Sequence, residues 1–270
     1  MRIYFLIVFC CASLFGSAQS NPEIHCKHFF MGYPAGTPAS NDLIIRDIYA
    51  LSNNDKTKFA DWVAYKLTMH EVEGELEVER KWESDPWLAE DETLEPNPSS
   101  KDDYKGANSA ISVDRGHQAP LASFKGSRFA SQSNMLSNIT PQKKDMNQGP
   151  WKNLEEAVRD LVRTGKTVYV MTGPLYTKPM PSLPNADEPH QVPSGYWKVV
   201  ICITGTNEFE HAAFIVDQES GRTDTVLEKV VTIDEVEKQS GLDLLWELAD
   251  TEEKKVEAAK NTSWISTWVK

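Results

Sequence analysis

What the chain lacks narrows it first. It has four cysteines in 270 residues, and Cys10 and Cys11 fall in its first apolar stretch, which leaves Cys26 and Cys202 for the body of the protein. Two cysteines cannot build the disulfide framework of a small secreted scaffold. Whether they pair depends on a geometry that sequence does not reveal. Paired histidines at helical metal spacing are missing, and the tract His25-Cys26-Lys27-His28 crowds its ligands together. A zinc hydrolase is therefore disfavoured, and the tract reads as an N-terminal structural segment. Basic residues are also short, with 28 Lys and Arg against 40 Asp and Glu and a formal charge of −12. That argues against a surface coated in positive charge for broad contact with polyanions. No apolar run reaches the roughly 20 residues of a membrane-crossing helix, so no stable membrane association is expected.

One short apolar run remains, from Ile3 to Leu14, preceded by Arg2 and followed by the small residues Gly16, Ser17, Ala18 and Ser20. This is the layout of an export signal. Cleavage after Ala18 or Ser20 would leave residues 19–270 as a single domain in a secreted or periplasmic location, at −13 once Arg2 is gone. With 40% hydrophobic residues, such a chain can bury a proper core.

Strand and helix patterns are mixed without regular alternation, which predicts an α+β class. A hairpin is expected around Ser52-Asn53-Asn54-Asp55, strands over 167–172 and 196–204, and helices over 231–245 and 251–260. Residues 71–104 are acidic and rich in Pro, Ser and Asp, and read as a surface excursion. Residues 174–193 form a proline-dense loop.

The chemistry gathers in two places. Asp114-Arg115-Gly116-His117-Gln118-Ala119-Pro120 reads as a strand, so its period of two sends Arg115 and His117 to one face and Asp114 to the other. Singly, such a His is most often a half-buried strand residue and such an Arg an ion pair. Together they offer a titratable base beside a planar anion clamp, a pair suited to attack on a phosphodiester. Downstream, Trp151, Leu154, Val158, Leu161 and Val162 recur at helical spacing, and Pro150 fits only a first turn, which places the helix start near Asn147. Asn147 then reads either as a helix cap or as an oxygen ligand for a hard cation. Glu155 lies about two turns in, as a solvated carboxylate or a holder of an ion's waters. Asn138, in the sequon Asn138-Ile139-Thr140, reads as a turn former, a glycosylation site or a support for the same patch.

Val113 to Ala122, Ser137 to Gln142, Asn147-Gln148-Gly149, Trp62 to Lys66, Thr172 to Tyr176 and Tyr196 to Val199 together resemble the DNA/RNA non-specific endonucleases of the ββα-metal class, in particular the secreted Serratia-type nucleases. The resemblance reaches from about residue 41 to about 250. It implies a central antiparallel sheet flanked by helices, with a ββα-metal finger at one face. It also implies a secreted endonuclease that hydrolyses DNA and RNA through backbone contacts, without sequence specificity. In that reading His117 is the general base, Arg115 its neighbouring phosphate-directed arginine, and Asn147 the single direct ligand of a hydrated Mg2+, with Mn2+ as an alternative ion. Glu155 contacts the ion's water shell and Asn138 supports the site. Arg80 is the second arginine, with Lys81 as a competing cation. The basic residues Lys125, Arg128, Lys143, Lys144 and Lys152 would provide local positive charge within an acidic whole. A homodimer stays open, as does a catalytically inactive secreted polyanion-binding protein on the same scaffold.

Overall fold

The computed structural model describes residues 21–97 and 101–269; the export segment expected at 1–18 lies outside them. A seven-stranded sheet runs through the molecule. Its strands are Asp42–Ile45, Ala50–Asn54, Phe59–Leu67, Thr167–Leu175, Gly195–Gly205, Glu208–Asp217 and Val230–Val231, and their order in space is their order in the chain. Every neighbouring pair is antiparallel. The expected central antiparallel sheet with helices against it is therefore present.

The central strands carry apolar residues at almost every position because both faces are covered. Val170 and Val200 contribute to one core, together with Leu154, Val158, Leu161 and Val162 of the helix Lys152–Arg163. Their neighbours Met171, Val199 and Ile201 turn to the opposite core, where Ile233 and Val236 of the helix Ile233–Ser240 pack. The alternation is that of a strand with side chains on both faces.

Every residue that lines the site except Arg222 comes from the long insertion between the third and fourth strands. Within it Val113–His117 and Ile139–Lys143 make a separate two-stranded ribbon, with Arg115 opposite Pro141 and His117 opposite Ile139. Pro141 has no N–H, but its carbonyl accepts from Tyr196 Oη at 2.9 Å and Gln218 Nε2 at 2.7 Å. Gln218 Oε1 accepts in turn from the Lys143 amide at 2.7 Å. These buried bonds, each worth about 1 kcal/mol net, fasten the ribbon to the sheet. Gly116 allows the ribbon to close: a β-carbon there would lie 2.1 Å from the Gln142 side chain.

Several sequence expectations shift. The hairpin forms, but its turn is at 55–58, three residues after the expected centre. The helix expected over 231–245 stops at Ser240, where Gly241 takes φ 74° and its amide closes on Glu237. The helix expected over 251–260 spans Asp250–Glu257. The stretch 71–104 is more than a surface excursion, because Leu94 and Tyr104 pack in a core with Val113 and Ile139, and buried Asp85 pairs with buried Arg46. Cys26 and Cys202 are both free thiols and sit in different cores. His28 is buried, so the His25–His28 tract is structural at that residue, as expected.

Candidate active site

The ribbon, the helix that follows it and the 71–104 stretch enclose a cavity of about 660 Å³. Its wall includes Arg80, Arg115, His117, Asn147 and Glu155, five of the six residues that the sequence singles out. Asn138 is not among them. It lies fully buried behind the wall, where its Oδ1 accepts from the Ala119 amide at 2.8 Å and its Nδ2 donates to the carbonyls of Ala119 and Ser133 at 2.9 and 2.7 Å. That carboxamide is saturated and inaccessible to a glycan, and it fixes the chain just beyond His117.

His117 is held on two sides. Asn134 donates through Nδ2 to the Glu79 carbonyl at 3.2 Å, which leaves its Oδ1 as acceptor, 3.0 Å from His117 Nε2. The tautomer follows: Nε2 carries the proton and Nδ1 keeps a free lone pair. The ring also packs on Trp82, with centroids 5.4 Å apart. Burial lowers the imidazole pKa to about 4, against a rise from the Asn134 bond, and Arg80 lowers it further. The ring is thus neutral at pH 7.

Arg115 is an ion pair, as the plainer reading of an arginine near an aspartate has it, but its partner is Asp102 and not Asp114. Its guanidinium lies between the Trp82 and Tyr104 rings, 5.5 and 5.0 Å from their centroids. Trp82, Asp102 and Tyr104 all come from the stretch read as an excursion, and no local pattern marks them. Arg80 is exposed on the cavity wall, while Lys81 is not among the lining residues and pairs with Glu83.

Asp114 does not point away from the patch. The Val113–His117 strand is paired on one edge only, so the cavity wraps its free edge and takes side chains from both faces. Asp114 Oδ2 accepts from Asn147 Nδ2 at 3.3 Å and from Gln148 Nε2 at 2.8 Å. Asn147 is not a helix cap either. Helical backbone begins at Lys144, Asn147 has φ −62° and ψ −44°, and residues Asn147–Trp151 form a wide π turn broken at Gly149 before the regular helix starts at Lys152. Pro150 cannot donate into the preceding turn, and a side chain at Gly149 would meet the Arg222 backbone at 2.5 Å, so a single straight helix is prevented. With its Nδ2 turned to Asp114, the Asn147 carboxamide presents an oxygen.

Charge in the cavity is the reverse of charge on the whole. Arg80, Arg115, Lys152, Arg159 and Arg222 line it against two carboxylates, Asp114 and Glu155. Of the basic residues expected to supply this charge, only Lys152 does so; Lys143 pairs with Glu219. Behind Glu155, Lys198 is wholly buried, its ammonium 4.3 Å from the centre of the Trp151 ring. Burial raises the Glu155 pKa, and Lys198 and Arg159 pull it back down. Burial lowers that of Lys198. Asn134, Arg159, Arg222 and Lys198 escape sequence reading, because an isolated Asn, Arg or Lys carries no spacing signal.

Residues 29–251 match the family described as DNA/RNA non-specific endonuclease. The chain is similar to a nuclease of Serratia marcescens, 44% identical over 240 residues, covering 87% of this chain and 86% of that protein. It is also similar to human mitochondrial endonuclease G, 29% identical over 218 residues, 77% of this chain and 70% of that protein. Among solved structures, the fold resembles that in a crystal structure of an EndoG/EndoGI complex, with a TM-score of 0.67 at 22% identity, covering 79% of this chain and 89% of that one. The chain belongs to the DNA/RNA non-specific endonuclease family, and by that membership is a nuclease acting on DNA and RNA.

Proposed function

We propose that the cavity is the catalytic centre of a Mg2+-dependent endonuclease in which His117 activates water. The observation that carries this reading is the His117–Asn134 contact: a neutral imidazole, its Nε2 proton engaged, with Nδ1 left to accept, on the wall that also holds Asn147. Nδ1 takes a proton from the attacking water as the water oxygen bonds to phosphorus, the bond from phosphorus to the leaving sugar oxygen breaks, and that oxygen is protonated from solvent. Arg115, pre-positioned by Asp102 and two rings, and Arg80, exposed on the same cavity wall, bind non-bridging phosphate oxygens as charge builds on them. Lys152 and Arg222 extend the contact along the backbone. None of these groups reads a base edge, which agrees with cleavage of DNA and RNA alike.

The donor set fits a hard, hydrated cation. Asn147 offers an amide oxygen, and Asp114 and Glu155 offer carboxylates, without a soft ligand at the cavity wall. Asn147 would hold the ion, with Glu155 accepting from its waters, and magnesium is commonly bound by few protein ligands plus substrate phosphate. The ion supplies Lewis acidity to the phosphate and leaving oxygens. A Mg2+ titration of cleavage tests the assignment: Asn147→Ala requires a higher half-saturating concentration and turns over more slowly, whereas an unchanged titration removes Asn147 from the role.

Secretion belongs to the same proposal and rests on Arg2 and the Ile3–Leu14 run. Among the described residues, no helix is long and apolar enough to cross a membrane. The mass of the protein recovered from the culture medium, or its absence there, decides the point.

A further inference from the structure

Three groups of carboxylates crowd together outside the catalytic cavity, and the fold relieves two of them visibly. Around Glu95, Asp103, Asp187 and Glu188, the Lys101 ammonium pairs with three of the four. In the group Asp234, Glu237 and Glu257, burial and mutual repulsion raise the pKa of Glu237 to about 7 and of Glu257 to about 8, so a proton relieves the crowding.

The third group has no cationic partner among the described residues. Asp42, Asp55 and Glu92 each bring a carboxylate oxygen within 4.8 Å of the others. Among the described residues, no ion pair includes any of them. Lys58, in the adjacent turn, donates instead to the Asp91 carbonyl. Burial raises the Asp42 pKa, and Glu92 and Asp55 raise it further.

A separate observation points to a ligand. Asn53 is 0% exposed, and its Oδ1 has no hydrogen-bond donor. Asn53 is the cross-strand partner of Asp42, so their side chains share a face. Its Nδ2 donates to the Glu92 backbone carbonyl at 2.9 Å, which ties the carboxamide to the residue that carries the third carboxylate. A buried Oδ1 of Asp55 is likewise without a donor. A buried acceptor left without a donor is costly, and a cation satisfies it where a neighbouring carboxylate cannot.

We propose that Asp42, Asp55 and Glu92, with the Asn53 carboxamide oxygen, form a calcium site at the end of the first β-hairpin. Calcium takes six to eight oxygens at about 2.3–2.6 Å, so oxygens up to roughly 5 Å apart fit one shell. Its flexible geometry suits ligands drawn from a strand, a turn and the short helix Glu90–Glu92. Magnesium demands a near-regular octahedron and gives up water reluctantly. The ion would pin the sheet to the start of the segment that goes on to Asp102 and so to Arg115. None of the four residues lines the catalytic cavity, so the inference stands or falls apart from the nuclease mechanism.

The test is calorimetric titration of the full chain carrying Asn147→Ala, which weakens the proposed catalytic ion site, with CaCl2, together with its melting temperature in calcium, magnesium and chelator. One calcium binds per chain and raises the melting temperature by several degrees more than magnesium does at equal ionic strength. Adding Asp42→Asn and Asp55→Asn weakens calcium binding at least tenfold and removes that rise. In chelator this variant melts no lower than its parent, because carboxylate repulsion is gone, which shows that it folds. Absence of binding, an equal response to magnesium, or an undiminished calcium effect in the Asn variant overturns the proposal.

Discussion

His117 Nε2 lies 3.0 Å from Asn134 Oδ1, while Asn134 Nδ2 is committed to the Glu79 carbonyl at 3.2 Å. Asn134 therefore both selects the histidine tautomer and ties the catalytic strand to the segment leading to Arg80. Asn134→Ala should lower kcat up to about 10²-fold with little change in KM, since the ring loses its orientation and not its substrate contacts. Asn134→Asp keeps an acceptor but adds a charge that raises the imidazole pKa. Its activity should exceed that of the alanine variant. Equal activity in the two variants would show that Asn134 only fills space.

The pH dependence separates two groups that must both lose a proton. His117 acts unprotonated, and its burial-lowered pKa of about 4 keeps it so in mild acid. Glu155 acts ionised, and burial holds it above the ordinary value of about 4.3 despite Lys198 and Arg159. Activity thus falls as pH drops, first through Glu155. Residual activity of Glu155→Gln should fall only at lower pH than that of the unaltered protein. A rate profile with an unmoved acid limb would remove Glu155 from control of it.

A second histidine links pH to stability. His28 donates from Nε2 to the Arg46 carbonyl at 3.0 Å and accepts at Nδ1 from the Lys66 amide at 3.4 Å, so its charged form loses an acceptor. Burial lowers its pKa to about 4. The unfolded chain takes up a proton near pH 6.5 while the folded one resists, so this contribution is complete above about 6.5 and is lost as pH falls toward 4. The loss is at most about 1.4 kcal/mol per pH unit. Urea unfolding between pH 7 and 5 should show a shallower decline for His28→Asn than for the unaltered chain, from a lower starting stability. Parallel declines would mean that His28 titrates normally.

Much of this was legible in the chain because it is local. The apolar spacing of Trp151, Leu154, Val158, Leu161 and Val162 predicts the buried helix face, and all five are buried. The strand period brings Arg115 and His117 to one cavity. What escaped depends on contacts distant in sequence. Asp114 was expected to face away, but a strand paired on one edge exposes both faces to the cavity. Sequence spacing puts Asn147 at a helix start, but the Gly149-Pro150 break lies after it, so it sits inside a π turn. Trp82 and Asp102 lie in an acidic stretch whose composition hides that single residues anchor it. Arg159 and Arg222 complete a cationic cavity that a net charge of −12 conceals.

The account rests on His117 as the base. Cleavage of one DNA and one RNA substrate should be measured for the unaltered chain and for His117→Ala, each with Mg2+ and with chelator. The unaltered chain cuts both polymers, and only with the ion, while His117→Ala loses at least about 10²- to 10⁴-fold on both. Near-normal cleavage by a folded His117→Ala variant would contradict the account.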